Sequence, residues 1–443
     1  MDEVYGNATK YNLNWHQCLQ QTPGWIHNWN QSEDNWKPIN DSIYFKKYST
    51  IDPNSYIMIA DHIWQVTARY GRNKINDSLL KLAPNKSMWD STPQPRLSGM
   101  NLLKWVEIYN EPNCWWKDRD IFFNAQEQAA MQSAAYDGHC GTMPKTVGVK
   151  NADPTMNVSL GAIANQTVIG KYIYICIYIY IKSQKLNYID RWQSTVWWAK
   201  QFRNSSLCFK TFPAEAINVH FYAQNNELTA GISPEDYNVY ENMLELAQFR
   251  DKNIPDVQLW VTEYGYDTNK ASKYHAPSIG KFNSEQVQGM WIMRTILSMS
   301  AANIQRAHQF MWADVQTNST GPYATSGLVT NPGYNPKDSY WYFTSMYRTL
   351  KNAYFVNRQC NKTTNICIQT YNIINKKAYV LWCPSSSDKT VNGYSFNISS
   401  TNNKVLLITP TVGNPDGVKT NITVTNGLVT LDVSELPVFV LTQ

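Results

Sequence analysis

Short apolar segments recur along the chain between residues 12 and 312, and longer amphipathic segments separate them. The short segments have the length and composition of buried parallel strands, and the longer ones have the length of helices. This alternation predicts an α/β barrel or a doubly wound parallel sheet. The predicted strands are Asn12–Leu19, Lys104–Tyr109, Asn157–Ile163, Ala216–Tyr222, Val257–Thr262 and Ala307–Trp312, and predicted helices include Ser55–Tyr70, Gln126–Tyr136, Tyr188–Arg203, Pro234–Arg250 and Ser284–Ala302.

The hydrophobic pattern changes near residue 351. From there, short apolar runs alternate with Asn-Gly, Pro-Asp-Gly and Ser-rich turns, which is typical of antiparallel strands. The runs are Ala378–Trp382, Val405–Ile408, Asn421–Val424 and Leu428–Val433. The sequence therefore predicts a barrel-like domain over 1–350 and a β-sandwich over 351–443.

One segment departs from both patterns. Lys171–Lys182 reads KYIYICIYIYIK, which alternates like a strand and is shorter than the roughly 20 apolar residues of a membrane helix. Tyr-Ile repeats are what an A/T dinucleotide repeat encodes, and the Gly-Lys at its start can be encoded across a splice-donor sequence. We interpret residues 171–186 as an insertion translated from a retained intron. A transcript that runs through this segment without a gap would contradict this hypothesis.

Composition narrows the function classes. Only 16% of the 443 residues are charged, whereas 13% are aromatic, with 17 Trp and 28 Tyr; this excludes a disordered chain. The net charge of +5 is not gathered in a long basic run, so a nucleic-acid partner is not expected. A membrane partner is not expected either. Neither a Gly-rich nucleotide motif nor a metal-ligand spacing is found, so no cofactor or metal is predicted. The excess of Trp and Tyr suits either a large core or the stacking of sugar faces.

Sequons, cysteines and the N-terminal sequence indicate the cellular compartment in which the protein is found. The first twenty residues lack the basic and apolar regions of a signal peptide. Cys360 and Cys367 flank a short loop and could form a disulfide. Sequons of the form N-x-S/T nevertheless predict a secreted glycoprotein, and they occur at Asn7, Asn30, Asn40, Asn76, Asn85, Asn157, Asn165, Asn204, Asn318, Asn361, Asn397 and Asn421.

Two glutamates stand where predicted strands end. Glu111 follows an apolar run in the sequence VEIYNEPN, and Glu263 stands where the short apolar run of LWVTEYG stops. In a TIM barrel the carboxyl ends of the strands carry the catalytic groups. Two carboxylates suit glycoside hydrolysis, in which one protonates the leaving oxygen and the other, ionised, attacks the anomeric carbon.

These motifs, in this order, resemble those of the clan A glycoside hydrolases, which are retaining (β/α)8 enzymes. With a C-terminal β-sandwich, the chain is similar to families 39, 30 and 51 of that clan. The resemblance implies that Glu111 is the acid/base, that Glu263 is the nucleophile, and that Asn110 hydrogen-bonds the sugar 2-hydroxyl. The expected activity is hydrolysis of β-linked glycans or glycosides.

The resemblance also implies substrate contacts at other strand ends. His220 and Tyr222 end the sixth strand of the barrel, Trp312 ends the eighth, and Gln20–Trp25 lies at the end of the third. Trp115 either lines the cleft or packs under its loop. Because no segment matches the first two strands, we expect a TIM barrel that lacks its first two βα units through N-terminal truncation.

Other interpretations of the same residues remain. Glu111 could cap the helix that begins near Pro112, Glu263 could be a loop carboxylate in a salt bridge, and His220 could be a core histidine. For the whole chain, one alternative is a non-catalytic carbohydrate-binding relative with a degenerate barrel. Another is a doubly wound α/β enzyme of different chemistry.

Overall fold

A computed structural model describes residues 1–19, 49–82, 85, 91–113, 122–164, 188–398 and 403–442. The hypothetical insertion at 171–186, the segment Gln20–Trp25 and Trp115 lie outside these ranges. The chain divides into two compact units. The first comprises residues 1–220 and 249–258, and the second comprises residues 221–248 and 259–443.

The first unit alternates helices with parallel strands. The first of four strands pairs in parallel with the second, the second with the third, and the third with the fourth. This is the alternation that the sequence predicts. The elements are α1 (Asp2–Lys10), β1 (His16–Leu19), α2 (Ile57–Tyr70), β2 (Trp105–Asn110), α3 (Ala125–Gly141), α4 (Val149–Ala152), β3 (Asn157–Ala162), α5 (Tyr188–Phe202) and β4 (Ala216–His220).

The alternation continues with α6 (Val239–Asn253) and β5 (Gln258–Tyr264), and in the second unit with α7 (Ser284–Ala301), β6 (Arg306–Gln309) and α8 (Asp338–Leu350). Among the described residues, the parallel strands follow the order β1-β2-β3-β4 in the first unit, and β5 pairs with β6 in the second. The predicted α/β class is therefore confirmed, and the described residues supply six parallel strands of a TIM-barrel-like fold. Within the described ranges, no helix has the length and apolar character needed to cross a membrane.

Antiparallel strands follow α8, as the change in sequence pattern predicts. They form a six-stranded sheet, β12-β11-β14-β9-β8-β7, and a two-stranded sheet, β10-β13. Leu381, Val405 and Val440 from the larger sheet share a buried cluster with Val429 and Val433 from the smaller one, which is how a sandwich core forms. The strands are β7 (Tyr354–Asn361), β8 (Ile366–Ile373), β9 (Lys376–Trp382), β10 (Val391–Asn397), β11 (Lys404–Thr411), β12 (Asn414–Thr423), β13 (Leu428–Val433) and β14 (Val438–Thr442).

Local sequence explains where the central helix of the first unit begins and what it buries. Asn124 caps α3, and its side chain accepts from the Glu127 backbone while the Glu127 side chain accepts from the Asn124 backbone; this capping box satisfies backbone donors at the start of the helix. Ala130 and Ala134 of α3 lie in the same buried cluster as Val106 of β2. Small side chains there let the helix pack closely against the sheet.

A buried ion pair anchors the C-terminal end of α3. The guanidinium of Arg203 lies 2.7 Å from Asp137, and the two side chains are 0% and 1% exposed. Cys140 in the same turn forms a disulfide with Cys208. Asp137 therefore has a structural role here.

We expect Arg203→Met to lower the free energy of unfolding by about 3–5 kcal/mol, because Asp137 would remain buried without its partner. The matched control is Arg348→Met, since Arg348 pairs with Asp416 and both side chains are about half exposed; exposed pairs contribute about 0–1 kcal/mol. Urea unfolding at neutral pH measures both. Equal losses in the two variants would contradict the prediction.

Candidate active site

The predicted acid/base lies at the carboxyl end of β2 in an unusual backbone conformation. Tyr109 and Glu111 have φ of +74° and +45°, a region that residues other than glycine rarely adopt. On the neighbouring strand, a Cβ at Gly161 would lie 2.5 Å from the carbonyl oxygen of Ile108, so only glycine allows this approach of β3 to β2. Backbone strain of this kind concentrates at functional sites.

His220, the last residue of β4, contacts Glu111 directly. Nδ1 of His220 lies 2.7 Å from Oε1 of Glu111, and the side chains are 2% and 24% exposed. With its proton on Nδ1, the imidazole donates to the carboxylate. With its proton on Nε2, Nδ1 accepts from the protonated carboxyl group. The pair is therefore suited to both protonation states of Glu111.

The strand residues around Glu111 are tied together by a second carboxylate. Glu107 is 2% exposed and accepts from the Ala162 backbone at 2.9 Å and from Nδ2 of Asn218 at 2.8 Å. Nε2 of His16 lies 3.7 Å from Glu107. These residues stand on each of the four strands that the structure describes in the first unit, so Glu107 is a buried structural group. Asn110 is paired with Ala162 in the strand register, and it is half-buried next to Glu111 in the chain.

The predicted nucleophile lies on β5 in the second unit. The Tyr222 hydroxyl donates to Oε2 of Glu263 at 2.9 Å. The backbone N–H of Phe221 donates to the Glu263 carbonyl oxygen at 2.8 Å, which fixes the backbone at the same residue. A hydrogen bond donated to a carboxylate favours its ionised form, and an ionised carboxylate is what a nucleophile requires.

Tyr222 belongs to a group of three rings, which we call the tyrosine cluster: Tyr222, Tyr274 and Tyr323. The ring centroid of Tyr222 lies 5.2 Å from that of Tyr274 and 4.7 Å from that of Tyr323. The ring of Phe310, which directly follows β6 in the chain, lies 6.1 Å from that of Tyr323. Sequence reasoning missed Tyr274, Tyr323 and Phe310, because none of them carries a charge or stands at a predicted strand end.

Trp312, which the resemblance places among the substrate contacts, lies beyond the end of its strand. The strand predicted to reach Trp312 ends at Gln309, because the chain then turns and the Trp312 carbonyl oxygen accepts from the Leu328 backbone at 2.9 Å. Trp312 is 60% exposed, and its ring lies edge-on to that of Tyr340 at 6.1 Å. An exposed indole ring offers a flat apolar face.

Comparisons with known proteins bear on the fold. No family model matches the chain, and no curated protein matches its sequence. Solved structures do match. A family 39 glycoside hydrolase from the gut symbiont Bacteroides cellulosilyticus WH2 is 14% identical with a TM-score of 0.61, over 100% of this chain and 70% of that chain.

Two further structures extend the likeness. A family 51 alpha-L-arabinofuranosidase from Bifidobacterium longum is 9% identical with a TM-score of 0.53, over 100% of this chain and 79% of that chain. A family 86 glycoside hydrolase in complex with neoagarooctaose is 13% identical with a TM-score of 0.51, over 99% of this chain and 63% of that chain. The resemblance to the clan A glycoside hydrolases is thus confirmed for the fold.

Proposed function

We propose that this chain is a retaining glycoside hydrolase that acts on β-linked glycans or glycosides, with Glu263 as nucleophile and Glu111 as acid/base. One observation carries the proposal. Each glutamate stands at the carboxyl end of a parallel strand, and each forms a hydrogen bond with a side chain from the segment 220–222. His220 contacts Glu111, and the Tyr222 hydroxyl donates to Glu263. The likeness of the fold to glycoside hydrolases supports this class of reaction.

In the first step, a carboxylate oxygen of Glu263 forms a bond to the anomeric carbon while the bond to the leaving oxygen breaks. Glu111 gives its proton to that oxygen. In the second step, Glu111 takes a proton from water, the water oxygen bonds to the anomeric carbon, and the Glu263 carboxylate is released. Two inversions give net retention, and they require the two carboxyl groups to lie about 5–5.5 Å apart.

The neighbouring residues have separate tasks in this proposal. Tyr222 keeps Glu263 ionised and oriented, and His220 orients Glu111 both before and after proton transfer. Asn110 hydrogen-bonds the sugar 2-hydroxyl. Trp312, whose ring is exposed, stacks on the sugar faces of a carbohydrate substrate, for which flat aromatic rings are suited.

The experiment that tests the proposal is the stereochemistry of hydrolysis. A panel of nitrophenyl β-glycosides is incubated with the enzyme, and the sugar released is followed by ¹H NMR from the first minutes. We expect the β-anomer to appear first, with the α-anomer forming later by mutarotation. Initial release of the α-anomer would contradict the retaining mechanism. Binding of glycans without hydrolysis would favour the non-catalytic carbohydrate-binding alternative.

We also propose that the protein is a secreted glycoprotein. The described residues include the disulfides Cys140–Cys208 and Cys360–Cys367, and disulfides are typical of oxidising compartments. A loss of mass on enzymatic deglycosylation of protein secreted by eukaryotic cells tests this, and an unchanged mass would contradict it. The sequon asparagines that the structure describes as exposed are Asn7, Asn76, Asn85, Asn204, Asn318, Asn361, Asn397 and Asn421.

A further inference from the structure

The tyrosine cluster connects Glu263 to residues 310–337 between β6 and α8, a segment of which the mechanism otherwise uses only Trp312. Tyr323 lies in this segment, and its ring is stacked on that of Tyr274 at 4.8 Å and 24°. The Tyr323 hydroxyl donates to the Tyr274 hydroxyl at 3.0 Å. Both rings pack against Tyr222, whose hydroxyl holds Glu263. Two aromatic side chains of fixed mutual orientation thus support the residue that contacts the proposed nucleophile.

A buried carboxylate fixes both supporting tyrosines. Asp267 is 0% exposed and accepts from the Tyr323 backbone N–H at 2.8 Å. It also accepts from the Ser272 hydroxyl, and that hydroxyl oxygen in turn accepts from the Tyr274 backbone N–H at 3.1 Å. Since Asp267 follows Glu263 by four residues, one short stretch of chain holds both the proposed nucleophile and the group that places its supporting rings.

A buried lysine fixes the segment on its other side. Nζ of Lys337 donates to the Thr325 carbonyl oxygen at 2.9 Å and lies 3.2 Å from Asp314, and the Lys337 and Asp314 side chains are 1% and 0% exposed. Burial lowers the pKa of Lys337, and the neighbouring Asp314 opposes this. Tyr323 has a φ of +66°, a conformation that persists where the surroundings hold it. The segment therefore presents Tyr323 in one fixed position.

The position of a tyrosine hydroxyl depends on its ring. It stands at the far end of the side chain, so a modest rotation about the Cα–Cβ bond moves it beyond hydrogen-bond distance. Rings packed on Tyr222 block such rotations. We propose that Tyr323 is a positioning residue that holds the Tyr222 hydroxyl on Glu263 and thereby sets the ionisation and orientation of the nucleophile. This inference rests on the proposed function.

Two substitutions separate the ring of Tyr323 from its hydroxyl. In Tyr323→Ala the ring is lost, and we expect kcat/KM to fall about 10- to 100-fold, the size of effect that follows from weakening a hydrogen bond to a charged group. The acid limb of the pH profile of kcat/KM should move to higher pH, because Glu263 would need a higher pH to ionise. Tyr323→Phe keeps the ring and should keep the wild-type acid limb. The control Tyr334→Ala, which removes a 65% exposed ring from the same segment, should change neither quantity.

Crystal structures of wild type and Tyr323→Ala give a measurement that is independent of activity. We expect the contact between the Tyr222 hydroxyl and Glu263, 2.9 Å here, to lengthen beyond hydrogen-bond distance in the variant. An intact contact would overturn the proposal, and so would a lower rate with an unmoved acid limb, since that indicates a general structural role. If the wild type hydrolyses no glycoside, the proposed function fails, and the crystal structures still decide whether Tyr323 positions Tyr222.

Discussion

Replacing Glu263 with alanine is expected to reduce kcat for aryl β-glycosides by about 10⁵-fold, the largest effect that we predict for any substitution. Without the carboxylate, no covalent glycosyl intermediate can form, and loss of a nucleophile costs rates of this order in enzymes with covalent intermediates. The Tyr222 hydroxyl that now donates to Glu263 cannot replace it, because a phenol is protonated at neutral pH. Release of nitrophenol under saturating substrate measures the loss.

Azide distinguishes a missing nucleophile from a damaged fold. In Glu263→Ala, azide can enter the vacated space and attack the anomeric carbon from the face that Glu263 used, while the phenolate leaves from the other face. A single inversion gives an α-glycosyl azide, and the rate should rise with azide concentration. Glu227→Ala, which changes an exposed glutamate in the same unit, should behave as wild type. A β-glycosyl azide from Glu263→Ala would contradict the role assigned to Glu263.

The site residues that can be predicted from the sequence are those at the ends of strands. An apolar run predicts a buried strand, and the polar residues at its carboxyl end stand at the edge of the sheet. This is how Glu111 and Glu263 could be found. His220 and Tyr222 follow from the same reasoning, since β4 ends at His220. These predictions need only local hydrophobicity and the rule that catalytic groups gather at the carboxyl ends of parallel strands.

The parts that the sequence does not predict depend on contacts between distant segments. Tyr323 reaches Tyr222 because its backbone N–H donates to Asp267, 56 residues earlier in the chain. The local sequence around either residue does not predict that hydrogen bond. The Cys140–Cys208 disulfide spans 68 residues and has the same character, whereas the Cys360–Cys367 bridge spans 7 and could be suggested from spacing.

The N-terminal helix α1 is a further example. Its sequence, DEVYGNATK, has only nine residues and contains a glycine, which is too short for a helix that is stable by itself in water, and no helix is predicted there. Asp2 nevertheless pairs with Arg69 of α2 at 2.5 Å and accepts from the Tyr70 hydroxyl at 2.9 Å. Tyr5 packs into the core of the first unit at 2% exposure. Tertiary contacts thus stabilise a helix that local propensity does not indicate.

Replacing Glu111 with alanine should give the second largest effect, and it should depend on the leaving group. A glycoside with an alkyl or sugar leaving group needs a proton on the departing oxygen, so kcat/KM should fall about 10²- to 10⁴-fold. A dinitrophenolate leaves without protonation, so formation of the glycosyl-enzyme from a dinitrophenyl glycoside should be nearly as fast as in wild type. Its second step should then become rate-limiting, because water lacks a general base, and a burst of phenolate should precede slow turnover.

The direction of azide attack completes the assignment of the two carboxylates. In Glu111→Ala, azide takes the place of water in the second step and attacks the glycosyl-enzyme, so the product has undergone two inversions and is a β-glycosyl azide. The basic limb of the pH profile should also disappear, since it reports ionisation of the acid that protonates the leaving group. His220, 2.7 Å from Glu111, would remain in the variant. If the activity of Glu111→Ala did not depend on the leaving group, His220 or another residue would supply the proton, and the role assigned to Glu111 would be wrong.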